Sequence, residues 1–244
     1  MNPIRILVVN CNVSASMTEL IDESAQSAAA PGTVVTTVAP EWGVESAEGY
    51  LDSYISAVAV LQRLRTWSEP FDAAVLAGFG EHGREAAREL LDVPVVDITD
   101  AAAQLALLLA PRYGVVTSLP RTTVQIADSL RNAGIYDHCV GVRATGLPVL
   151  DLSDSPEDTY AAVLAESLAL LDQGAEAIAL GCAGLTGQAE VLSEKLGAPI
   201  IDPVRAGVGV AETLVRLGLR TSKFRTFAAP LEKSRPGWDS AVAR

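Results

Sequence analysis

The sequence has little of the chemistry from which common enzyme centres are built. Its 244 residues include only three cysteines and two histidines. The cysteines, Cys11, Cys139 and Cys182, are too few and too far apart in sequence for a disulfide framework or a zinc site. With only His82 and His138, a Ser-His-Asp triad or a multi-histidine metal centre has almost nothing to build on. We therefore expect free thiols in a reducing compartment and no metal site.

Basic side chains and long apolar runs are also scarce. Lys and Arg number 18 against 30 Asp and Glu, which gives a formal net charge of −12. Such a surface repels phosphate backbones, so nucleic-acid binding is not expected. No apolar run reaches membrane-spanning length, and the first residues, MNPIRILVVN, show no cleavable signal pattern. The sequence thus predicts a cytoplasmic protein with neither a membrane nor a nucleic-acid partner.

The chain does contain a regular alternation of strand-like and helix-like segments. Apolar residues make up 49% of it, enough for one large α/β domain or for two lobes with a sizeable core. Short β-branched runs are separated by longer helical patterns with mostly short loops, which predicts parallel sheets. The predicted strands are residues 4–9, 33–39, 72–77, 93–98, 112–117, 139–144, 175–181 and 198–202.

The same order of features occurs in both halves of the chain. In the first half a buried strand opens into AGFGEHG, followed by a helix and the short strand VPVVD. In the second half a strand opens into GCAGLTG, followed by a helix and APIID. Gly78 and Cys182 occupy matching places in the two copies. This repetition predicts two similar lobes that face each other.

The stretch AVLAGFGEHGR also has the G-x-G-x-x-G spacing of a dinucleotide-binding loop, with Asp97 further along the chain. Three observations argue against that interpretation. The motif usually follows the first strand of its unit, but the first strand here runs into NCNVSAS. Glu81 lies where a phosphate would bind and would repel it. The corresponding turn of the second half, GCAGLTG, lacks the G-x-G-x-x-G spacing. The glycines can instead let backbone N–H groups point into a cleft and hold an anionic oxygen.

Five stretches of the chain carry a family resemblance: IRILVVNCNVSASMTE, FDAAVLAGFGEHGREAARELLDVPVVDITDAAA, YGVVTSLPRT, AIALGCAGL and GAPIIDPVRAGVGVAETLV. They resemble the aspartate/glutamate/hydantoin racemase superfamily, and hydantoin and allantoin racemases most closely. The resemblance implies an α/β fold with two Rossmann-like lobes, whose parallel sheets are related by a pseudo-two-fold axis. The expected lobes are residues 1–98 with 206–244, and residues 99–205. The resemblance also implies a homo-oligomer that acts on a small-molecule substrate bound between the lobes.

By the same resemblance the protein is a racemase or epimerase that needs no metal, PLP or other cofactor. In that family two cysteines, one from each lobe, flank the stereocentre of the substrate. One thiolate removes the α-proton, and the other thiol delivers a proton to the opposite face of the planar carbanion. Cys182 corresponds to the second of these cysteines. The first falls at Gly78, so this chain lacks the first thiol of the classical two-thiol reaction.

Three explanations of Gly78 follow. Cys11, in the turn after the first strand, or His82, in the same turn as Gly78, replaces the missing acid/base group. Alternatively, the protein is a lyase similar to arylmalonate decarboxylase, which has glycine at the first position and protonates an enediolate from one side with the remaining cysteine. That enzyme follows its glycine with a Thr-Ser pair, which AGFG lacks. The third possibility is a small-molecule-binding protein without catalysis.

The favoured substrate is a small cyclic amide, either a hydantoin-like ring or a diketopiperazine, because enolisation spreads the carbanion's charge onto a carbonyl oxygen. The backbone around Gly78–Gly80 and Cys182–Gly184 is expected to stabilise that oxygen. The candidate catalytic residues are Cys182, Cys11 and His82. The residues expected to bind the substrate are Asn10, Asn12, Gly78, Phe79, Gly80, Thr117, Gly181, Ala183 and Gly184.

Overall fold

The strands form two separate parallel sheets. The computed structural model describes residues 3–153 and 155–238, so residues 239–244 of the predicted first lobe lie outside the described residues. The strands are β1 (Ile4–Asn10), β2 (Thr33–Val38), β3 (Ala73–Ala77), β4 (Val95–Asp97), β5 (Tyr113–Thr117), β6 (Cys139–Ala144), β7 (Ala177–Leu180) and β8 (Ile200–Ile201). Their order is β2-β1-β3-β4 in one sheet and β6-β5-β7-β8 in the other. The matching orders confirm the predicted α/β class.

Each predicted strand is present, but the last strand of each sheet is shorter than predicted. The segment predicted as 93–98 pairs only at Val95–Asp97, and the segment predicted as 198–202 pairs only at Ile200–Ile201. In both cases an aspartate ends the strand because it caps the next helix. The Asp97 carboxylate accepts a hydrogen bond from the Thr99 backbone N–H, and the Asp202 carboxylate accepts one from the Val204 N–H.

Helices connect the strands and cover both faces of each sheet. In the described residues they are α1 (Ala15–Ala28), α2 (Tyr50–Thr66), α3 (Arg84–Leu90), α4 (Ile98–Leu109), α5 (Thr123–Asn132), α6 (Pro156–Asp172), α7 (Ala189–Leu196) and α8 (Pro203–Arg216). The predicted helix start at Asp202-Pro203 is confirmed, with Asp202 as the N-cap and Pro203 as the first helical residue. None of the helices among the described residues is long and apolar enough to cross a membrane.

The strand order sets the place of the site. In each sheet the chain leaves the first strand to one side and returns on its other side, so a crevice opens beyond the carboxyl ends of β1 and β3, and of β5 and β7. Ligands of open α/β sheets bind at such positions. Helix α8 packs on β1, β3 and β4, so the chain returns to the first sheet after the second is complete. This agrees with the lobe division expected from the sequence, which stays a prediction.

Candidate active site

One cavity lies where the two crevices meet. The turns after β1, β3, β5 and β7 all contribute to its wall, so each sheet supplies both of its central strands. The cavity has a volume of about 40 Å³ and is lined by Asn10, Cys11, Asn12, Met17, Ala47, Ala77, Gly78, Phe79, His82, Thr117, Ser118, Thr122, Val149, Gly181, Cys182 and Ala183. The structure thus brings together all three candidate catalytic residues and most of the candidate binding residues.

Two side chains fill the space in front of Gly78. A Cβ atom added to Gly78 would lie 2.3 Å from Cδ2 of His82, 2.6 Å from Cβ of Cys11 and 3.0 Å from Sγ of Cys11. Non-bonded carbon atoms do not approach so closely, because their van der Waals contact begins near 3.5 Å. Any side chain at residue 78 would therefore have to displace His82 and Cys11. Both groups take up the room that a larger residue at position 78 would use.

Both thiols of the cavity are protonated near pH 7. The pKa of Cys11 is raised to about 12, mainly by burial and also by the nearby Cys182 and Asp97. Burial likewise raises the pKa of Cys182 to about 11; a hydrogen bond from the Gly184 backbone lowers it, and the carboxylate of Glu48 raises it. The Gly184 N–H donates to Sγ of Cys182 over 3.4 Å. Because the charge on each thiolate would be desolvated, the resting state holds two thiols.

His82 is neutral near pH 7. Its side chain is 5% exposed, and burial lowers its pKa to about 4 against the opposing effect of the Phe79 and Ser53 backbones. Its Nδ1 atom is buried without a hydrogen-bond partner among the described residues. An imidazole with so low a pKa holds an extra proton poorly at neutral pH, so it is better suited to hydrogen bonding than to proton delivery.

A hydrogen-bond network fixes the orientation of Asn12. Its Oδ1 accepts from Nδ2 of Asn10 at 2.9 Å and from the Ser14 backbone N–H at 3.0 Å. Asn10 also donates to Oγ1 of Thr18 at 3.0 Å, and its own Oδ1 accepts from the Asn12 N–H. With Oδ1 engaged twice, Nδ2 of Asn12 is left as a donor without a partner among the described residues. The amide group of Asn10 is engaged within this network, and its expected contact with the substrate stays a prediction, whereas Asn12 can offer a donor to a ligand.

The comparisons with known proteins identify the family. Residues 6–211 match the family described as Asp/Glu/Hydantoin racemase. The chain belongs to the Asp/Glu/Hydantoin racemase family. A hydantoin racemase from Pseudomonas sp. (strain NS671) is 40% identical over 235 residues, which cover 96% of this chain and 94% of that protein. The crystal structure of an allantoin racemase from Pseudomonas fluorescens matches with a TM-score of 0.94 at 48% identity, covering 96% of this chain and all of that one.

These relatives are named as racemases, which are isomerases, so the predicted enzyme class is confirmed at the level of the family. Arylmalonate decarboxylase matches at a TM-score of 0.58 and 18% identity, covering 96% of each chain. At that identity the likeness shows a shared fold and nothing about activity. The racemase family is thus supported at full length, and the decarboxylase is a distant structural neighbour.

Two of the binding residues expected in this racemase-family chain lie outside the cavity lining. The backbone N–H of Gly80 donates to Oγ1 of Thr99 at 2.8 Å, and its carbonyl accepts from Gln125. The Gly80 N–H is therefore engaged within the chain, and the expectation that Gly80 binds the substrate stays a prediction. The Gly184 N–H donates to the sulfur of Cys182, and its expected contact with the substrate stays a prediction.

Other contacts at the site refine the sequence-based picture. Thr117 lines the cavity, but its hydroxyl donates to the Gly181 carbonyl at 2.9 Å and so joins the two turns of the second sheet. The Glu81 carboxylate accepts from the N–H groups of Gly83 and Arg84 at the start of α3. It occupies the place that a pyrophosphate would take in a dinucleotide site, which agrees with the rejection of that reading.

Sequence reasoning missed six residues that complete the cavity wall: Met17, Ala47, Ala77, Ser118, Thr122 and Val149. Ala77 directly precedes Gly78, and Ser118 and Thr122 follow the predicted strand end at Thr117, so their positions next to strand ends could have indicated them. The other three belong to segments that only the three-dimensional fold brings to the site. Within the residues that the structure describes, no group of three His, Cys, Asp or Glu side chains is placed to hold a metal ion.

Proposed function

We propose that this protein is a cofactor-independent racemase or epimerase of a small cyclic amide, with Cys11 and Cys182 as the two acid/base groups. The substrate is a hydantoin-like ring or a diketopiperazine. The observation that carries the proposal is the placement of Cys11 against Gly78, with its sulfur 3.0 Å from where a Cβ of residue 78 would lie. A thiol is thus available on the first lobe without a cysteine at position 78.

The proposed reaction uses the two thiols on opposite faces of the ring. In one direction the thiolate of Cys182 removes the α-proton, the electron pair of the C–H bond moves into the enolate, and the Cys11 thiol protonates the other face. The reverse direction exchanges the two roles. After each turnover in the first direction Cys182 is a thiol and Cys11 is the thiolate, so one proton has been taken up and one released and no redox step is needed. Inversion requires this two-sided arrangement, because a single group returns the proton to the face from which it came.

The enolate oxygen needs hydrogen-bond donors, and Asn12 supports this part of the proposal. Its Nδ2 has no partner among the described residues, and its orientation is fixed by two bonds to Oδ1. A donor held in place before the reaction stabilises developing charge without reorganisation. A neutral His82 would supply a second N–H donor near Gly78. These side chains take over the role first expected of the Gly80 backbone.

Cys11 is preferred to His82 as the second acid/base group on physical grounds. A thiol carries its transferable proton throughout the neutral pH range, whereas an imidazole with a pKa of about 4 is almost entirely in its neutral form at pH 7. Neutral His82 lacks the imidazolium proton that an acid would deliver, although its remaining N–H can still orient the substrate. The pair of thiols therefore matches the symmetric demands of racemisation better than a thiol and an imidazole.

One observation favours a second candidate, a decarboxylase that uses Cys182 alone. The glycine at residue 78 together with Cys182 is the pattern of a one-sided protonating enzyme. In that case the substrate would be a malonate-type acid that loses CO2 and receives one proton from Cys182. The presence of Cys11 beside Gly78 argues for the two-sided reaction.

Proton exchange with solvent separates these functions. Enantiopure 5-substituted hydantoins and cyclic dipeptides would be incubated with the protein in D2O and followed by NMR and chiral chromatography. The proposal predicts deuterium at the α-carbon of intact substrate together with inversion. Cys182→Ser should abolish inversion, and Cys139→Ser is the matched control because Cys139 does not line the cavity. Label only in a decarboxylated product would establish the lyase, and no reaction with any substrate class would leave the proposal without support.

A further inference from the structure

The cavity is too small for the ring that it is proposed to bind. Its volume is about 40 Å³, room for about one to three water molecules, whereas ligand pockets commonly measure about 300–1,000 Å³. Ala47 from the first lobe and Val149 from the second both line it. Movement of the segments that carry these two residues away from each other would enlarge the cavity for a substrate.

One hydrogen bond joins those two segments across the cavity. Oε1 of Glu48 accepts from the backbone N–H of Val149 at 2.8 Å, although the residues are 101 positions apart in the chain. The Glu48 backbone N–H is itself held by the Asp52 carboxylate at 3.0 Å. Next to it Gly49 is buried, and a Cβ added there would lie 2.9 Å from Nη2 of Arg121 in the second lobe. The two lobes are thus in close contact around Glu48.

The segment held by Glu48, residues 147–152, covers the Cys182 turn. Val149 is 6% exposed and Leu152 is 3% exposed, and both pack in the same apolar cluster as Cys182 and Met17. A Cβ added to Gly184 would lie 3.0 Å from Cδ1 of Leu152, so this side chain rests directly on the turn. Release of the Val149 N–H would loosen the cover over the second acid/base group.

The charge of Glu48 also reaches Cys182. Its carboxylate raises the pKa of the Cys182 thiol, after the larger effect of burial and against the Gly184 N–H. The other titratable groups around the cavity are Cys11 and His82 from the first lobe. Asp151, which neighbours Leu152 in the covering segment, is exposed to solvent. Glu48 thus both accepts a hydrogen bond from Val149 of the covering segment and raises the pKa of the Cys182 thiol.

We infer that Glu48 is a positioning residue that latches the covering segment over the Cys182 turn and places a negative charge near that thiol while the cleft is closed. Its catalytic meaning rests on the proposed function, but the latch and the charge effect do not. Closing the cleft and suppressing the thiolate are then one event. Opening the latch then raises the thiolate fraction of Cys182, and closing it makes this thiol less reactive towards electrophiles.

Three variants separate the two parts of this inference. Glu48→Gln keeps an oxygen acceptor for the Val149 N–H and removes the charge. Glu48→Ala removes both. Glu45→Gln removes the same charge from an exposed position of the same loop and is the matched control. The readouts are the rate of Cys182 alkylation by iodoacetamide from pH 7 to 10, measured by peptide mass spectrometry, and hydrogen exchange of the Val149 amide by NMR.

In Glu48→Gln, Cys182 should alkylate about two- to fourfold faster at pH 8. The gain in thiolate fraction is partly offset by the lower nucleophilicity of a less basic thiol. The Val149 amide should stay protected in this variant, and alkylation of Cys139 should not change. In Glu48→Ala the Val149 amide should exchange about tenfold faster or more, and Cys182 should react faster still. Glu45→Gln should match the wild type in every readout.

Equal alkylation of Cys182 in the wild type and Glu48→Gln at every pH would overturn the charge effect. Unchanged exchange of the Val149 amide in Glu48→Ala, with thermal melting showing a folded protein, would overturn the latch. Neither readout uses a substrate, so a failure of the proposed function is distinguishable. If the wild type exchanges no α-proton while both Glu48 effects appear, the latch stands and the proposed reaction falls.

Discussion

The crowding in front of Gly78 leads to a direct prediction about Gly78→Ala. The new methyl group would lie 2.3 Å from Cδ2 of His82 and 2.6 Å from Cβ of Cys11, so at least two contacts must be relieved by movement. Overpacking of this kind lowers the free energy of unfolding by about 1–3 kcal/mol. For a chain of this size, that corresponds to a melting temperature lower by roughly 3–10 °C. Gly78 is not in the left-handed region, so the loss reports space and not backbone strain.

The assay is thermal and urea unfolding of Gly78→Ala, His82→Ala and the double variant. Removing the imidazole should relieve the closer of the two contacts, so the double variant should be more stable than the sum of the single effects predicts, by about 0.5–2 kcal/mol. Gly209→Ala is the control, because a Cβ there meets nothing within 4 Å and the residue lies within α8. Alanine should be neutral or slightly stabilising at that position.

A Gly78→Ala variant as stable as the wild type would refute the reasoning. It would show that the space beside residue 78 is free, and the claim that Cys11 and His82 fill it would fall. Strictly additive effects on the free energy of unfolding in the double variant would show that the new methyl group at residue 78 does not clash with His82. Either result would weaken the case for Cys11 as the second acid/base group, because that case depends on its place beside Gly78.

Three further predictions concern the site and its surroundings. The value of kcat/KM should rise about tenfold per pH unit from pH 7 to nearly 10. Thiols with pKa values of about 11 and 12 yield more thiolate base as pH rises, so a plateau of kcat/KM below pH 8 would contradict this prediction. Asn12→Asp keeps an oxygen that accepts from Asn10 and Ser14 but replaces the Nδ2 donor with a buried anion, so kcat should fall about 10²–10³-fold and the melting temperature should also fall. Burial and the nearby Asp100 raise the pKa of Asp97 from 3.8 to about 7. Because the folded state keeps this proton to a higher pH than the unfolded state, the free energy of unfolding should decrease as pH rises from 4 to 7. Urea unfolding at several pH values should show a smaller decrease in Asp97→Asn than in the wild type.

Much of the fold could be predicted from the sequence, because its signals are local. Short β-branched runs such as IRILVV and DAAVLA are long enough to define a buried strand and are bounded by turn residues. The repeated order of strand, glycine-rich turn, helix and short strand indicated two similar halves, and the matching strand orders confirm it. The strand ends at Asp97 and Asp202 were placed less well, because the capping bonds of the next helix end those strands early.

The candidate site was predictable only where a residue's role follows from its position at a strand end. Cys11, Gly78 and Thr117 directly follow or end strands, Cys182 lies two residues beyond the end of β7, and all four line the cavity. The hydrogen bond from the Gly80 N–H to Thr99 was not predictable, because it depends on how α4 packs against the turn. The hydrogen bond from Val149 to Glu48 was also beyond sequence reasoning. It joins two loops of different lobes, and neither loop carries a periodic pattern.

The measurement that tests the central claim most directly is exchange of each enantiomer separately in Cys11→Ser and Cys182→Ser, on a ring that the wild type inverts. Each variant keeps one acid/base face. The account predicts that Cys11→Ser exchanges the α-proton of one enantiomer with retention, that Cys182→Ser does so with the opposite enantiomer, and that neither inverts either one. Inversion at the wild-type rate in Cys11→Ser would contradict the account and remove Cys11 from the mechanism.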